Sequence, residues 1–267
     1  MFKSHWQPSL LMRITLVLHG AALLVLIMAP LYWRWVLAAL IANHVVLALT
    51  GLWPRSHWLG PNWTQLPAAA AARSEIALTI DDGPDPLVTP QVLDVLERHG
   101  VQATFFCIGA SAQRFPDLCR DIVRRGHAIE NHSQHHRYNF SLLGMAGLAR
   151  EIQAAQAVLT EITGQRPQFF RAPAGLRNPF LDPVLARMEL KLASWSVRAF
   201  DTREGDPEKV KRKLLNGLHA GAIVLLHDAH AARTPTGHPV ILEVLPILLD
   251  AAAAANLRWV TLRHALP

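Results

Sequence analysis

Between residues 76 and 262 the chain passes seven times through a short apolar stretch of strand length, each time alternating with a longer stretch of helical periodicity. The strand candidates are residues 76–80, 103–108, 127–130, 168–171, 190–197, 222–226 and 258–262. The helical candidates are residues 89–99, 112–125, 142–163, 183–188, 207–218 and 240–254. Three of these helical stretches stop at Gly100, Gly126 and Gly164, as expected where a C-cap must take left-handed backbone angles. A repeating βα order with strands apolar on both faces calls for a parallel sheet covered by helices. Seven strands in roughly 195 residues predict an α/β fold, a distorted (β/α)7-type barrel, with a doubly wound open sheet as the alternative.

Ahead of this part the composition changes. No Asp or Glu precedes Glu75, and Lys3, Arg13, Arg34, Arg55 and Arg73 carry 5 of the 6 units of formal net charge. The remainder is close to neutral, so the basic pI argues for no nucleic-acid partner: the excess lies in an apolar region, not in a stripe on a folded surface. Two apolar runs, residues 14–29 and 36–52, flank the cluster Tyr32-Trp33-Arg34-Trp35. Each is about long enough to cross a hydrocarbon core of about 30 Å, and the aromatic cluster suits an interface. The expectation is a transmembrane helical hairpin over residues 1–55, a connector rich in Pro, Trp and Ala over 56–74, and a catalytic domain over 75–267. A cleavable signal peptide fits less well, because the apolar stretch is long, a second follows, and no early small-residue cleavage site is present. Asn43 and His44 fall within the second run, where a packing or interfacial role is expected. Two spans make the chain a multi-pass protein of the inner (cytoplasmic) membrane with both ends on one side, and the basic residues outside the hairpin place that side in the cytoplasm. A single span would reverse the side. Cys107 and Cys119 read as buried structural thiols.

In a βα barrel, reactive groups stand at the C-terminal ends of strands. The first run leads into Asp81-Asp82-Gly83-Pro84, where adjacent carboxylates repel unless a cation or a proton lies between them; an acidic surface turn is the plain alternative. The third leads into Asn131-His132-Ser133-Gln134-His135-His136. The i,i+4 spacing of His132 and His136 lets two imidazoles face one metal if the segment turns helically, with His135 pointing elsewhere; the plain alternative is a solvated cluster. A carboxylate and two imidazoles, Asp82, His132 and His136, with a position left for water, are a catalytic ligand set for a divalent metal, most simply Zn2+. Arg171 ends the fourth run, where it would hold a neighbouring carboxylate ionised, and the turn Pro173-Ala174-Gly175 presents a backbone N–H toward the cavity. The sixth run ends in His227-Asp228, a histidine suited to proton donation near neutrality. His57, His99, His219, His238 and His264 read as structural or surface residues, and His230 as the one remaining histidine placed to border the cleft.

In this order the motifs resemble those of the polysaccharide deacetylase family, carbohydrate esterase family 4, whose catalytic part is the NodB homology domain; the resemblance spans residues 75–262. Thr79-Ile80-Asp81-Asp82-Gly83-Pro84 is similar to the first motif and implies Asp81 as general base and Asp82 as metal ligand. His132-Ser133-Gln134-His135-His136 is similar to the second and implies His132 and His136 as the other ligands. Arg171-Ala172-Pro173-Ala174-Gly175 resembles the third, with Arg171 holding Asp81 and the Ala174 N–H in an oxyanion hole. Leu225-Leu226-His227-Asp228 resembles the fifth, with Leu225 lining an acetyl pocket and His227 as general acid. In the fourth, Asp201 matches the aspartate that tunes the catalytic histidine, but Thr202 stands where a tryptophan is common, as Ala174 does where an aromatic residue is common. Both changes remove flat surface on which a sugar ring stacks.

The resemblance implies a hydrolase of carbon–nitrogen bonds other than peptide bonds, removing an acetyl or similar small acyl group from an N-acylated sugar of a cell-envelope polysaccharide or glycolipid. One rival is a deformylase or deacetylase of a polyprenyl-phosphate-linked sugar, motivated by the reduced stacking surface and the hairpin. The other is a catalytically silent, membrane-bound carbohydrate-binding scaffold; retention of Asp81, Asp82, His132, His136 and His227 speaks against it. The expected partners are an acylated carbohydrate or lipid-linked sugar and the membrane.

Overall fold

Along β1 (Glu75–Asp81) successive side chains leave on opposite faces, and both faces are covered. Ile76, Leu78 and Ile80 pack outward on α4 (Thr89–Arg98) and α10 (Val240–Ala254), while Ala77 joins an inner cluster with Phe106, Phe169, Trp195 and Leu225. That inner face is the barrel interior, and the same alternation carries Thr79 and Asp81 to it. A computed structural model describes residues 6–266.

The other strands are β2 (Thr104–Cys107), β3 (Ala128–Asn131), β4 (Phe169–Phe170), β5 (Lys191–Leu192), β6 (Val197–Arg198), β7 (Ile223–His227) and β8 (Arg258–Trp259). All pairs are parallel, in the order β5-β4-β3-β2-β1-β7-β6, and β8 joins the start of β1. Besides α4 and α10, the catalytic region carries α5 (Gly109–Arg114), α6 (Pro116–Arg124), α7 (Met145–Thr163), α8 (Leu181–Arg187) and α9 (Pro207–Asn216). This is the expected distorted βα barrel, open between β5 and β6.

Two expected elements divide. The run at 190–197 becomes two short strands, β5 and β6, because Ser194 N–H turns to the Trp63 carbonyl of the connector and Ser196 N–H then takes the Ile223 carbonyl of β7. The helix at 112–125 becomes α5 and α6, since Pro116 has no N–H to continue α5 and instead starts α6. The connector also does more than span a gap. Trp63 N–H donates to the Leu192 carbonyl and the Trp63 carbonyl accepts from Ser194, both at 2.8 Å, while Leu66 N–H donates to the Gly221 carbonyl. Trp63 thereby lies between β5 and β7 where the barrel is open, its ring edge-on to Phe169 at 5.1 Å. Ala68–Ala72, expected as linker, forms a single helical turn before β1.

The N-terminal apolar runs form α1 (Leu10–Met28) and α2 (Trp33–Gly51). Each has 19 residues, a length of about 28 Å, near the thickness of a hydrocarbon core. Their outer faces expose Leu10, Val17, Met28, Trp35 and Leu49. Asn43 and His44 have packing roles, as expected: Thr15 Oγ1 bonds Asn43 Oδ1 across the pair at 3.1 Å, and the His44 ring meets His19 edge-on. At the base, Arg177 N–H donates to the Gly51 carbonyl at 3.1 Å, and Ser194 Oγ donates to the Pro54 carbonyl at 2.7 Å. Gly51 is required there, because a Cβ would run into the Arg177 carbonyl.

Candidate active site

Register sets the first contacts. Asp81 is the in-register partner of His227, and Thr79 that of Leu225, so four candidate groups share one face at the C-terminal end of two adjacent strands. Asp81 and Asp82 do not confront each other. Asp81 continues the strand and meets Arg171 Nη1 at 2.6 Å, whereas Asp82 adopts left-handed angles (φ 76°) and swings its carboxylate toward the histidines. Arg171 is wholly buried, donating also to Thr79 Oγ1 and to the carbonyls of Ala193 and Ser194, with its Cζ 4.1 Å from the Phe106 ring centroid. Burial lowers the guanidinium pKa and Asp81 raises it in part. The pair is a fixed counter-charge that keeps one oxygen of Asp81 engaged.

Asp82 Oδ1 lies 3.3 Å from His132 Nε2 and 3.3 Å from His136 Nε2. His132 Nδ1 is 2.8 Å from the Arg171 carbonyl, which can only accept, so Nδ1 carries a proton and Nε2 is the ring nitrogen turned to the carboxylate. Burial lowers Asp82's acidity, but hydrogen bonding to His132 and His230 outweighs it and holds the carboxyl well below its usual range. Burial, then the neighbouring His132, push His136 down to about 4. An ionised Asp82 carboxylate and two imidazoles whose ligand atoms all lie within 4.8 Å of one another fit a divalent metal with mixed oxygen and nitrogen ligands.

The two histidines meet without a helix. The loop after β3 is built from Ser133 (φ 64°) and His136 (φ 48°) in left-handed angles, stabilised by Ser133 N–H to Asn131 Oδ1 and His136 N–H to Ser133 Oγ. His135 turns away, as expected, and bonds Glu151 of α7 through both its backbone N–H and its ring.

His227 closes the opposite wall. Asp201 Oδ1 lies 2.9 Å from its Nδ1 and Asp201 Oδ2 accepts its backbone N–H at 2.7 Å, leaving Nε2 for the cavity. Burial lowers the imidazole pKa, but the Asp201 charge and hydrogen bond raise it further, with Asp81 and Asp82 adding to the rise, to about 9. Ala174, at φ 54°, and Leu225 line the same cavity of about 470 Å3. Every candidate site residue therefore lies at this one cavity or directly behind it.

Sequence reasoning missed part of the wall. Tyr138, fully exposed in the loop after the histidines, and Trp195 line the cavity, so aromatic surface is present despite Ala174 and Thr202. Arg198 and Arg203 line it too, and nothing in their local sequence marked them. His230 Nδ1 lies 3.3 Å from Asp82 Oδ2, in keeping with its expected place at the cleft. Asp228 faces away from the cavity. It accepts from Thr89 and from the Ala229 N–H, packs against Gly83, and is pushed by burial up to about 7.

The polysaccharide deacetylase family model matches residues 68–193. A peptidoglycan-N-acetylglucosamine deacetylase of Bacillus cereus is 30% identical over 215 residues, which cover 78% of this chain and 75% of that protein. The chain belongs to the polysaccharide deacetylase family. A chitooligosaccharide deacetylase of Sinorhizobium fredii is 34% identical over 164 residues, 61% of this chain and 76% of that protein. A crystal structure of a peptidoglycan N-acetylglucosamine deacetylase superposes with a TM-score of 0.69 at 28% identity, covering 77% of this chain and 92% of that one. Both named relatives are carbohydrate deacetylases, hydrolases of carbon–nitrogen bonds other than peptide bonds, the enzyme class expected from the motifs.

Proposed function

We propose that the chain is a divalent-metal-dependent N-deacetylase of an acetylated aminosugar in a cell-envelope glycan, such as peptidoglycan or a chitin-like oligosaccharide. Residues 75–267 form the catalytic domain, 56–74 the connector and 1–55 a multi-pass anchor in the inner membrane. The observation that carries the reading is the convergence of His132 Nε2 and His136 Nε2 on one oxygen of Asp82, with Asp81 and His227 on either side.

Asp82, His132 and His136 would hold the metal, which in such a site lowers the pKa of water and polarises the acyl carbonyl. Asp81, oriented by its hydrogen bond from Arg171, takes a proton from the attacking water as its oxygen bonds to the acyl carbon. The Ala174 N–H donates to the oxyanion that develops on the carbonyl oxygen. Leu225 walls the small space for the acyl methyl group. His227, protonated and held by Asp201, gives its proton to the departing nitrogen as the carbon–nitrogen bond breaks. The products are a free amine and acetic acid, which then ionises to acetate by releasing its proton to solvent, and the proton gained by Asp81 balances the one lost from His227.

Two variants test the assignment. Asp82→Ala should lose both bound metal and activity, and His227→Ala should keep metal, measured by elemental analysis, while losing activity by about 10²-fold or more. Full turnover in either variant would overturn it.

One observation favours a second substrate reading, a polyprenyl-phosphate-linked sugar. The loop from Ala174 to Arg177 leads from the cavity to the base of the hairpin, where Gly175 packs against Pro54 and Arg177 bonds Gly51. Activity on a detergent-solubilised glycolipid but not on soluble oligosaccharides would select it.

A further inference from the structure

The cleft carries more positive charge than the deacylation groups use. Asp81, Asp82 and Asp201 bear on it, and each is engaged: Asp81 with Arg171, Asp82 with the imidazoles, Asp201 with His227. Arg198 and Arg203 line the same cavity, and no carboxylate among the described residues lies within 4.0 Å of either guanidinium. Arg198 Nε is buried without a hydrogen-bond partner. Its Cζ lies 5.0 Å from the Trp195 ring centroid and 4.9 Å from that of Phe200, so aromatic faces fix its orientation. Arg203, on the turn just after Asp201, is exposed.

Arg171 together with a divalent cation would match the charge of the three carboxylates even before the proton on His227 is counted. Arg198 and Arg203 are then surplus, in a concave and partly desolvated site where unneutralised like charges are costly. Burial lowers the Arg198 pKa, Asp201 and Asp81 raise it in part, and Arg203 lowers it again, leaving it below its ordinary value. Guanidinium forks match the planar or tetrahedral oxygens of carboxylates and phosphates.

We propose that Arg198 and Arg203 form an anion subsite of the catalytic cleft, and that the acylated sugar bears an oxyanion substituent, a phosphate ester or a carboxylate, beside the ring that is deacylated. This rests on the deacylase reading and narrows its substrate class.

The test uses the full chain in detergent with three sugars: methyl N-acetylglucosaminide as the neutral reference, N-acetylglucosamine 1-phosphate and N-acetylmuramic acid. One of the anionic sugars should be preferred in kcat/KM by about tenfold or more, and Arg203→Gln should reduce that preference by about tenfold. Whether phosphate or carboxylate is preferred identifies the source of the charge. Arg198→Lys, which keeps the charge and removes the fork, should reduce the preference less than Arg198→Gln. Equilibrium binding of each anionic sugar to metal-free protein, by calorimetry, should weaken in step in Arg203→Gln. Equal kcat/KM for neutral and anionic sugars, or anion binding unchanged in Arg203→Gln, would overturn the subsite. Failure of the wild type to deacylate any of the three counts against the deacylase reading instead, and the binding measurement still decides the subsite.

Discussion

Asp201 holds His227 at two points, and the consequence is a proton retained at a pH where a free imidazole would have lost it. With the imidazole raised from 6.5 to about 9, the acid form needed for leaving-group protonation is present at neutrality and lost as pH rises through about 9. The same shift contributes stability that is fully present below pH 6.5 and disappears as pH rises through about 9, because the folded state binds the proton more tightly. Asp201→Asn removes the charge that raises the imidazole while leaving an oxygen for the backbone N–H. The alkaline limb of the pH–kcat profile should move to lower pH, and an NMR titration of the His227 ring should show the matching fall. An unmoved limb together with an unmoved titration would remove Asp201 from this role. At this scale much was legible: Asp82, His132, His136 and Arg171 follow apolar runs, and strand ends are where a barrel collects its polar groups. Arg203 and Tyr138 were not, because each reaches the cavity through a turn whose path is set by tertiary packing rather than by a periodic pattern, and Arg198, the last residue of β6, stands one residue past the expected run.

At the scale of elements, the turn after β1 decides where Asp82, the proposed metal ligand, points. Asp82 can leave the strand direction because Gly83 lets the chain lie against the buried Asp228 carboxylate, where a Cβ would collide with Asp228. Gly83→Ala should displace Asp228 from Thr89 and the Ala229 N–H, lowering stability by about 1–3 kcal/mol. Because Asp82 is the adjacent residue, metal affinity should fall as well. Thermal unfolding and a metal titration measure the two effects, and wild-type values in both would remove this account of the turn. Strand existence was legible from apolar runs, yet the break of residues 190–197 into β5 and β6 was not, since both halves carry strand-like residues and only the hydrogen bonds to Trp63 and Ile223 divide them. The histidine loop teaches a related point. Its i,i+4 spacing suggested a helical turn, whereas Ser133 and His136 reach the same juxtaposition through left-handed angles, which sequence spacing alone does not distinguish.

For the whole molecule, the hairpin is joined to the barrel by more than a tether. The Gly51 carbonyl accepts from Arg177, the Pro54 carbonyl accepts from Ser194, and the Trp58 carbonyl accepts from Ser9 at 2.7 Å. If α1 and α2 span a bilayer, the chain should stay in the membrane fraction after alkaline carbonate extraction, and reporters fused at either end should report the same side. Reporters on opposite sides, or release by carbonate, would exclude the two-span arrangement. The apolar runs made the two long N-terminal helices readable in advance. The contacts that orient the hairpin were hidden, because backbone carbonyls such as those of Gly51 and Pro54 carry no sequence signature.

The bond between Gly51 and Arg177 sits on the loop that also supplies Ala174 to the cavity, so any bilayer holding the hairpin would hold the cleft mouth at a set height above the lipid surface. Such an enzyme surveys a thin layer rather than a volume. Encounter with a membrane-confined substrate then becomes a two-dimensional search governed by surface density and lateral diffusion, and weak intrinsic affinity is enough where effective concentration is high.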